Sequence, residues 1–72
     1  MGMKKVEFPY PLEIEENMLY MYESLNENDR RHYAAIEAQK LGHGGITYIS
    51  QLFKISEKTI QSGLDEFEKK VF

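Results

Sequence analysis

The sequence predicts an all-α fold, a three- to four-helix bundle that contains a helix-turn-helix. Residues 44–64 read GGITYISQLFKISEKTIQSGL, which predicts a short helix, a turn of about three residues and a second helix that begins with a serine N-cap. Apolar residues also recur at helical spacing from residue 12 onwards, and no segment has the pattern of a strand. At 72 residues the chain has room for one small domain with a single core.

The chain begins with residues 1–11, which we expect to form a flexible arm. Pro9 and Pro11 favour extended or polyproline-like backbone over helix. We expect Phe8 or Tyr10 of this arm to pack on the core.

Residues 12–72 form the predicted helical domain, and its first helix spans residues 12–24. The apolar positions follow the spacing of an amphipathic helix. Glu13, Glu16 and Glu23 lie on the opposite face, and early glutamates suit the positive end of the helix dipole. The predicted apolar stripe consists of Ile14, Met18, Met21, Tyr22 and Leu25.

The second helix is predicted from an N-cap at Asn26 through Leu41, with Asp29 in the acidic position of a capping box. Gly42 is expected to end this helix in a left-handed conformation, at the start of a glycine-rich loop. The predicted packing residues of the helix are Tyr33, Ala34, Ile36, Ala38 and Leu41.

The helix-turn-helix is predicted over residues 46–68. Its first helix covers about residues 47–53, residues 54–55 form the turn, and Ser56 caps a second helix that runs to about residue 69. Gly63 lies on the buried side of that helix, although glycine costs roughly 1 kcal/mol against alanine there. Close approach of another helix would explain it, and an ordinary surface glycine is the alternative. The predicted buried stripe consists of Ile60, Leu64, Phe67 and Val71.

The charge distribution bears on the class of ligand. The formal net charge is −3, and the excess acidity lies in residues 1–25, whereas residues 26–72 are neutral. Because phosphate contacts supply much of the affinity for DNA, we expect the isolated domain to bind DNA weakly. No apolar run approaches the ~18 residues of a membrane helix and no signal-peptide pattern occurs, so we expect a cytoplasmic protein without a membrane partner.

No catalytic site, cofactor or metal site is predicted, and the chain is not expected to be an enzyme. The absence of cysteine excludes thiolate metal sites, and His32 and His43 do not have the spacing of a zinc site. The serines have no placed base, and a bundle of this size offers little concave volume for a substrate. Arg30 and Arg31 are interpreted as a solvated face or as partners of carboxylates, with a nucleic-acid role as the alternative.

The candidate contacts to double-stranded DNA lie on and around the second helix of the helix-turn-helix. In this motif the first turn of that helix presents side chains to base edges, and its cap region meets phosphate. Lys58, Gln61 and Ser62 are expected to face the DNA groove, since glutamine pairs bidentately with adenine and lysine or serine contacts bases or phosphate. The residues expected at the DNA backbone are Thr47, Lys54, Ser56 and Thr59.

A family resemblance supports this interpretation. It is carried by Asn26, the pair Arg30-Arg31, the alanine-rich segment 34–38, the glycine-rich segment 42–46, the Ser-x-x-Thr-Ile segment 56–60 and Gly63-Leu64. With these features, residues 25–68 resemble the N-terminal region of the Rhodopirellula-type (Azo-thirteen insertion-sequence group) DDE transposases. The resemblance implies a DNA-recognition segment that engages the terminal repeats of a transposable element.

Two features depart from the pattern of that family. Family members usually follow the Thr-Ile with an arginine pair, whereas this chain has Gln61 and Ser62, which weakens the expected contacts to phosphate or guanine. The catalytic domain with its acidic metal-binding triad is absent from this sequence. We therefore expect no residue here to carry transposition chemistry.

A protein–protein interaction or dimerisation module on a helix-turn-helix scaffold is the alternative function. The neutral recognition half, the acidic first helix and the aromatic-rich arm favour it, by analogy at the level of the fold. A basic stripe along the fourth helix would favour DNA, whereas a contiguous exposed apolar patch would favour a protein partner. The exposures that bear on this choice are those of Tyr20, Tyr22, Tyr48 and Phe53.

Overall fold

The computed structural model of the chain describes residues 9–69. The described residues contain helices only, so the predicted all-α class with four helices is confirmed. Residues 54–56 connect the last two helices. The helices are α1 (Leu12–Ser24), α2 (Glu27–Leu41), α3 (Gly45–Phe53) and α4 (Glu57–Glu68).

The core lies where α2 packs against the other three helices. The most extensive contacts join α2 to α4 and to α3, whereas α1 contacts α2 and α3 but not α4. Alanines on α2 keep its buried face small, so that the larger side chains of its neighbours approach its backbone. The core cluster consists of Met18, Ala34, Ala38, Ile49, Phe53 and Ile60.

Both predicted side-chain caps are present. The Asn26 side chain accepts a hydrogen bond from the Asp29 backbone N–H at 2.8 Å, and Ser56 Oγ accepts one from the Thr59 backbone N–H at 3.1 Å. Each cap satisfies a backbone donor that the first turn of a helix leaves without a partner. The starts of α2 and α4 are therefore determined locally.

The glycine-rich loop differs from its prediction. Gly42 ends α2 with φ +74° and ψ −138°, which is outside the left-handed helical region, and the left-handed residue is Gly44 at φ +83°. Gly44 is the N-cap of α3, so α3 begins at Gly45, two residues earlier than expected. At the other end, α4 stops at Glu68.

Gly63 lies where α4 approaches α2 most closely. A Cβ atom at this position would be 2.9 Å from the Arg31 backbone oxygen and 3.0 Å from Ala35 Cβ. Such distances leave no room for a side chain. The prediction that close helix approach explains Gly63 is confirmed.

Three predicted core residues are instead exposed. Ile14 is 43% exposed, Met21 is 47% exposed and Ile36 is 44% exposed. Because α1 makes no contact with α4, only a narrow side of α1 is covered, and Ile14 and Met21 lie at its edge. The alanine face of α2 turns inward and places Ile36 outside the core. Val71 lies outside the described residues.

The described end of the N-terminal arm packs on α3. The Tyr10 backbone N–H donates to Tyr48 Oη at 2.9 Å, and the two rings meet edge to face with centroids 5.9 Å apart. Tyr10 therefore packs on the bundle as expected, and Phe8 lies outside the described residues. None of the helices within residues 9–69 has the length and apolar composition that a membrane-spanning segment requires.

Candidate nucleic-acid interface

A polar groove runs between the first turns of α2 and α4, and we call it the α2–α4 groove. Four of the seven predicted DNA contacts line it, together with two residues of α2. The groove combines two cationic side chains, three hydroxyl groups and one carboxylate. Its lining residues are Glu27, Arg31, Ser56, Lys58, Thr59 and Ser62.

The hydroxyl side of this groove is built by the cap of α4. Ser56 has extended backbone, with φ −76° and ψ 152°, so the chain turns into α4 at this residue. Its Oγ bonds the Thr59 backbone N–H and lies 3.0 Å from Thr59 Oγ1. These contacts hold two hydroxyl groups at the positive end of the α4 dipole, where anionic groups are stabilised.

Glu27 and Arg31 are the groove residues that were not among the predicted DNA contacts, and Arg31 is the cationic one. The prediction for the arginine pair was a solvated face or carboxylate partners, and the structure separates the two residues. Arg31 lies along α4, where its Nη2 is 3.0 Å from Glu66 Oε2. Arg30 instead donates to the backbone oxygens of Tyr22 and Glu23 at 3.0 and 2.9 Å and closes the end of α1. Consecutive helical residues diverge by about 100°, which explains the different partners.

Glu66 connects α4 to α2 through both of its carboxylate oxygens. Oε2 pairs with Arg31, and His32 Nε2 donates to Oε1 at 2.6 Å. The hydrogen bond from His32, with the nearby charge of Arg31, holds the pKa of the Glu66 carboxyl below its ordinary value. Glu66 is therefore a stable anion beside the groove at neutral pH.

The other three predicted contacts lie outside the groove. Gln61 Nε2 donates to Asp65 Oδ1 at 3.3 Å, and Thr47 Oγ1 donates to Glu57 Oε2 at 3.0 Å. Lys54 is exposed in the connection between α3 and α4, with a left-handed backbone at φ +58°. The structure thus brings four of the predicted residues together and distributes the other three around the start of α4.

The charge of α4 is uneven along its length. Lys58 is its only basic residue, whereas it carries four carboxylates, three of them in its second half. The described residues therefore have no basic stripe along the whole of α4. At its first turn Lys58 lies next to Glu57, Lys54 precedes the helix, and Arg31 reaches from the groove to pair with Glu66 in the second half.

The exposed aromatic and apolar residues lie mainly on α1. Tyr20 is 80% exposed and Leu12 is 70% exposed, whereas Phe53 is buried in the core. Tyr22 and Tyr48 are half-buried. Of the four aromatic residues selected as indicators of a protein partner, Tyr20 alone presents most of its surface to solvent.

No group of three or more histidine, aspartate or glutamate side chains within residues 9–69 is arranged to hold a metal ion. Comparison of the chain with protein-family models, with curated proteins and with solved structures found no match.

Proposed function

We propose that residues 45–68 bind double-stranded DNA as a helix-turn-helix, with the first half of α4 directed at the major groove. The observation that carries this proposal is the α2–α4 groove, which gathers cationic and hydroxyl side chains at the start of α4. Phosphate oxygens are bound by side chains of this kind and by helix N-termini. In this proposal the chain acts as a recognition module of the kind that the transposase resemblance implies.

The proposed contacts divide into two groups. Lys58, Gln61 and Ser62 are exposed on the side of α4 away from the core and approach base edges. Phosphate is contacted by the residues that flank this side, namely Thr47, Lys54, Ser56 and Thr59, and by Arg31, which we add from the structure.

The proposal also sets limits on affinity. The acidic second half of α4 repels phosphate, so the footprint covers only the start of the helix. A footprint with few phosphate contacts predicts weak binding and a correspondingly shallow dependence on salt.

The test is an NMR titration, in which the isotopically labelled full chain is mixed with a short DNA duplex of mixed sequence at two salt concentrations. We expect the largest amide shifts at residues 31, 47, 54 and 56–62. The double variant Lys58→Ala with Gln61→Ala should bind about tenfold more weakly, since it removes two contacts at the centre of the footprint.

The matched control is Gln51→Ala with Lys69→Ala, which removes the same two side-chain types. Gln51 lies on α3 away from the groove, and Lys69 lies about 16 Å along the helix axis from Lys58. Both control residues are exposed, and this variant should keep most of the wild-type affinity. Equal losses in the two double variants would overturn the assignment of α4, and no shifts at low salt would overturn DNA binding by this chain.

The second candidate function is association with a protein through α1. Its support is the exposure of Leu12 and Tyr20 on a helix that contains four glutamates and no basic residue. Sedimentation equilibrium of the chain distinguishes a dimer from a monomer. If a dimer forms through this surface, Leu12→Ser with Tyr20→Ser should abolish it and leave DNA titrations unchanged.

A further inference from the structure

The guanidinium of Arg31 borders the α2–α4 groove but is already engaged within the protein. Its Nη2 lies 3.0 Å from Glu66 Oε2 and donates to Asn28 Oδ1 at 2.7 Å. Its Nε is buried and has no hydrogen-bond partner among residues 9–69. The side chain is still 27% exposed, so a ligand in the groove has access to it.

Glu66 is well placed to retain Arg31. Its second oxygen accepts the hydrogen bond from His32, so the carboxylate is anchored on α2 at two points. Glu66 is also 44% exposed, and an ion pair in contact with solvent is weak enough to exchange one anionic partner for another.

We infer that Glu66 is an intramolecular competitor of DNA phosphate for Arg31, and that it lowers the affinity of the α2–α4 groove for DNA. This inference rests on the proposed DNA-binding function. A phosphate oxygen accepts from a guanidinium N–H as a carboxylate oxygen does, so a phosphate can take the place of Glu66 Oε2 at Arg31 Nη2. Binding of DNA then releases Glu66 from Arg31.

The test compares Glu66→Gln with Glu68→Gln in the full chain, with a short mixed-sequence duplex as the probe. Both variants remove one negative charge from α4, and Glu68 is exposed two residues further along the helix. Glu66→Gln should bind about two- to fivefold more tightly than Glu68→Gln, because only the former removes the ion pair that holds Arg31. Circular dichroism verifies that each variant retains its helices.

The Arg31→Gln background separates release of Arg31 from a simple effect of charge. In that background Glu66→Gln and Glu68→Gln should bind DNA equally well. An advantage of Glu66→Gln that persists without Arg31 would overturn the inference, since it would reflect repulsion between Glu66 and the DNA.

The Arg31 Nε–Hε resonance provides a second readout that does not depend on affinity. On addition of DNA it should shift at lower DNA concentration in Glu66→Gln than in the wild type. If the wild type binds DNA through Lys58 and Gln61 while Glu66→Gln behaves as Glu68→Gln, the competitor role is wrong and the proposed function stands. If no variant binds DNA at low salt, the proposed function fails and the competitor role fails with it.

Discussion

Gly63→Ala tests whether the contact between α2 and α4 depends on the absence of a side chain. The new methyl group would lie 2.9 Å from the Arg31 backbone oxygen, 3.0 Å from Ala35 Cβ and 3.3 Å from Arg31 Cγ. The first two of these atoms belong to the backbone and to a short side chain of a packed helix, so neither moves without a shift of the helix. The two helices must therefore separate.

Two opposing effects determine how much Gly63→Ala changes the free energy of unfolding. Alanine in place of glycine raises helix propensity by about 1 kcal/mol. An extra methyl group in a packed interior costs about 1–3 kcal/mol, and the contact with a backbone oxygen indicates the upper half of that range. Gly63→Ala should therefore be net destabilising by roughly 1–2 kcal/mol, or several degrees in melting temperature for a domain of this size.

The assay is urea denaturation monitored by circular dichroism, with Ser62→Ala as the control variant. Ser62 is the exposed neighbour of Gly63 on α4, so its replacement changes helix propensity without a steric clash, and stability should change by no more than about 0.5 kcal/mol. The reasoning fails if Gly63→Ala is as stable as the wild type or more stable. That result would mean that α2 and α4 separate at little cost.

Three further predictions concern the caps, the connection and the tyrosines. Ser56→Ala should destabilise the domain by about 1 kcal/mol in urea denaturation, because the Thr59 backbone N–H loses its acceptor; an unchanged midpoint would contradict the cap. Lys54→Gly should raise the melting temperature, because a backbone φ of +58° costs a non-glycine residue about 1 kcal/mol. A lower melting temperature in this variant would show that the lysine side chain itself contributes stability. Burial of the Tyr48 hydroxyl, and next its hydrogen bond to Glu15, raise the pKa of Tyr48 above its ordinary value of 10.0. The contribution of the neutral hydroxyl to the free energy of unfolding is therefore complete below about pH 10. It is lost as the pH rises through the pKa of the folded state. Unfolding of Tyr48→Phe should therefore depend less on pH in the alkaline range than unfolding of Tyr20→Phe, which alters an exposed ring.

The starts of α2 and α4 were predictable because their determinants are local. Asn26 and Ser56 each bond the backbone N–H three residues ahead, and this pattern is visible in the residue order. The exact start of α3 was not predictable, since it depends on which glycine of the loop adopts the left-handed conformation. Gly44 does so and begins the helix at Gly45.

Periodicity predicted that the helices exist but not how each is rotated. Ile14, Met21 and Ile36 have helical spacing and yet remain exposed, because burial also requires a neighbouring helix on that side. For the candidate interface, the sequence identified the residues at the start of α4. It did not show that Arg31, distant in sequence, lies beside them.

The sequence by itself determined the four helices, the asparagine cap of α2, the serine cap of α4 and the set of polar residues around the start of α4. These features depend on hydrogen bonds and propensities that act within about four residues. Only the tertiary structure decided which arginine of the pair reaches α4 and which carboxylate it meets. The close approach of α2 at Gly63 sets that arrangement, because it carries Arg31 across α4 to Glu66. The distance between two helices follows from how their whole surfaces pack, and no local pattern specifies it.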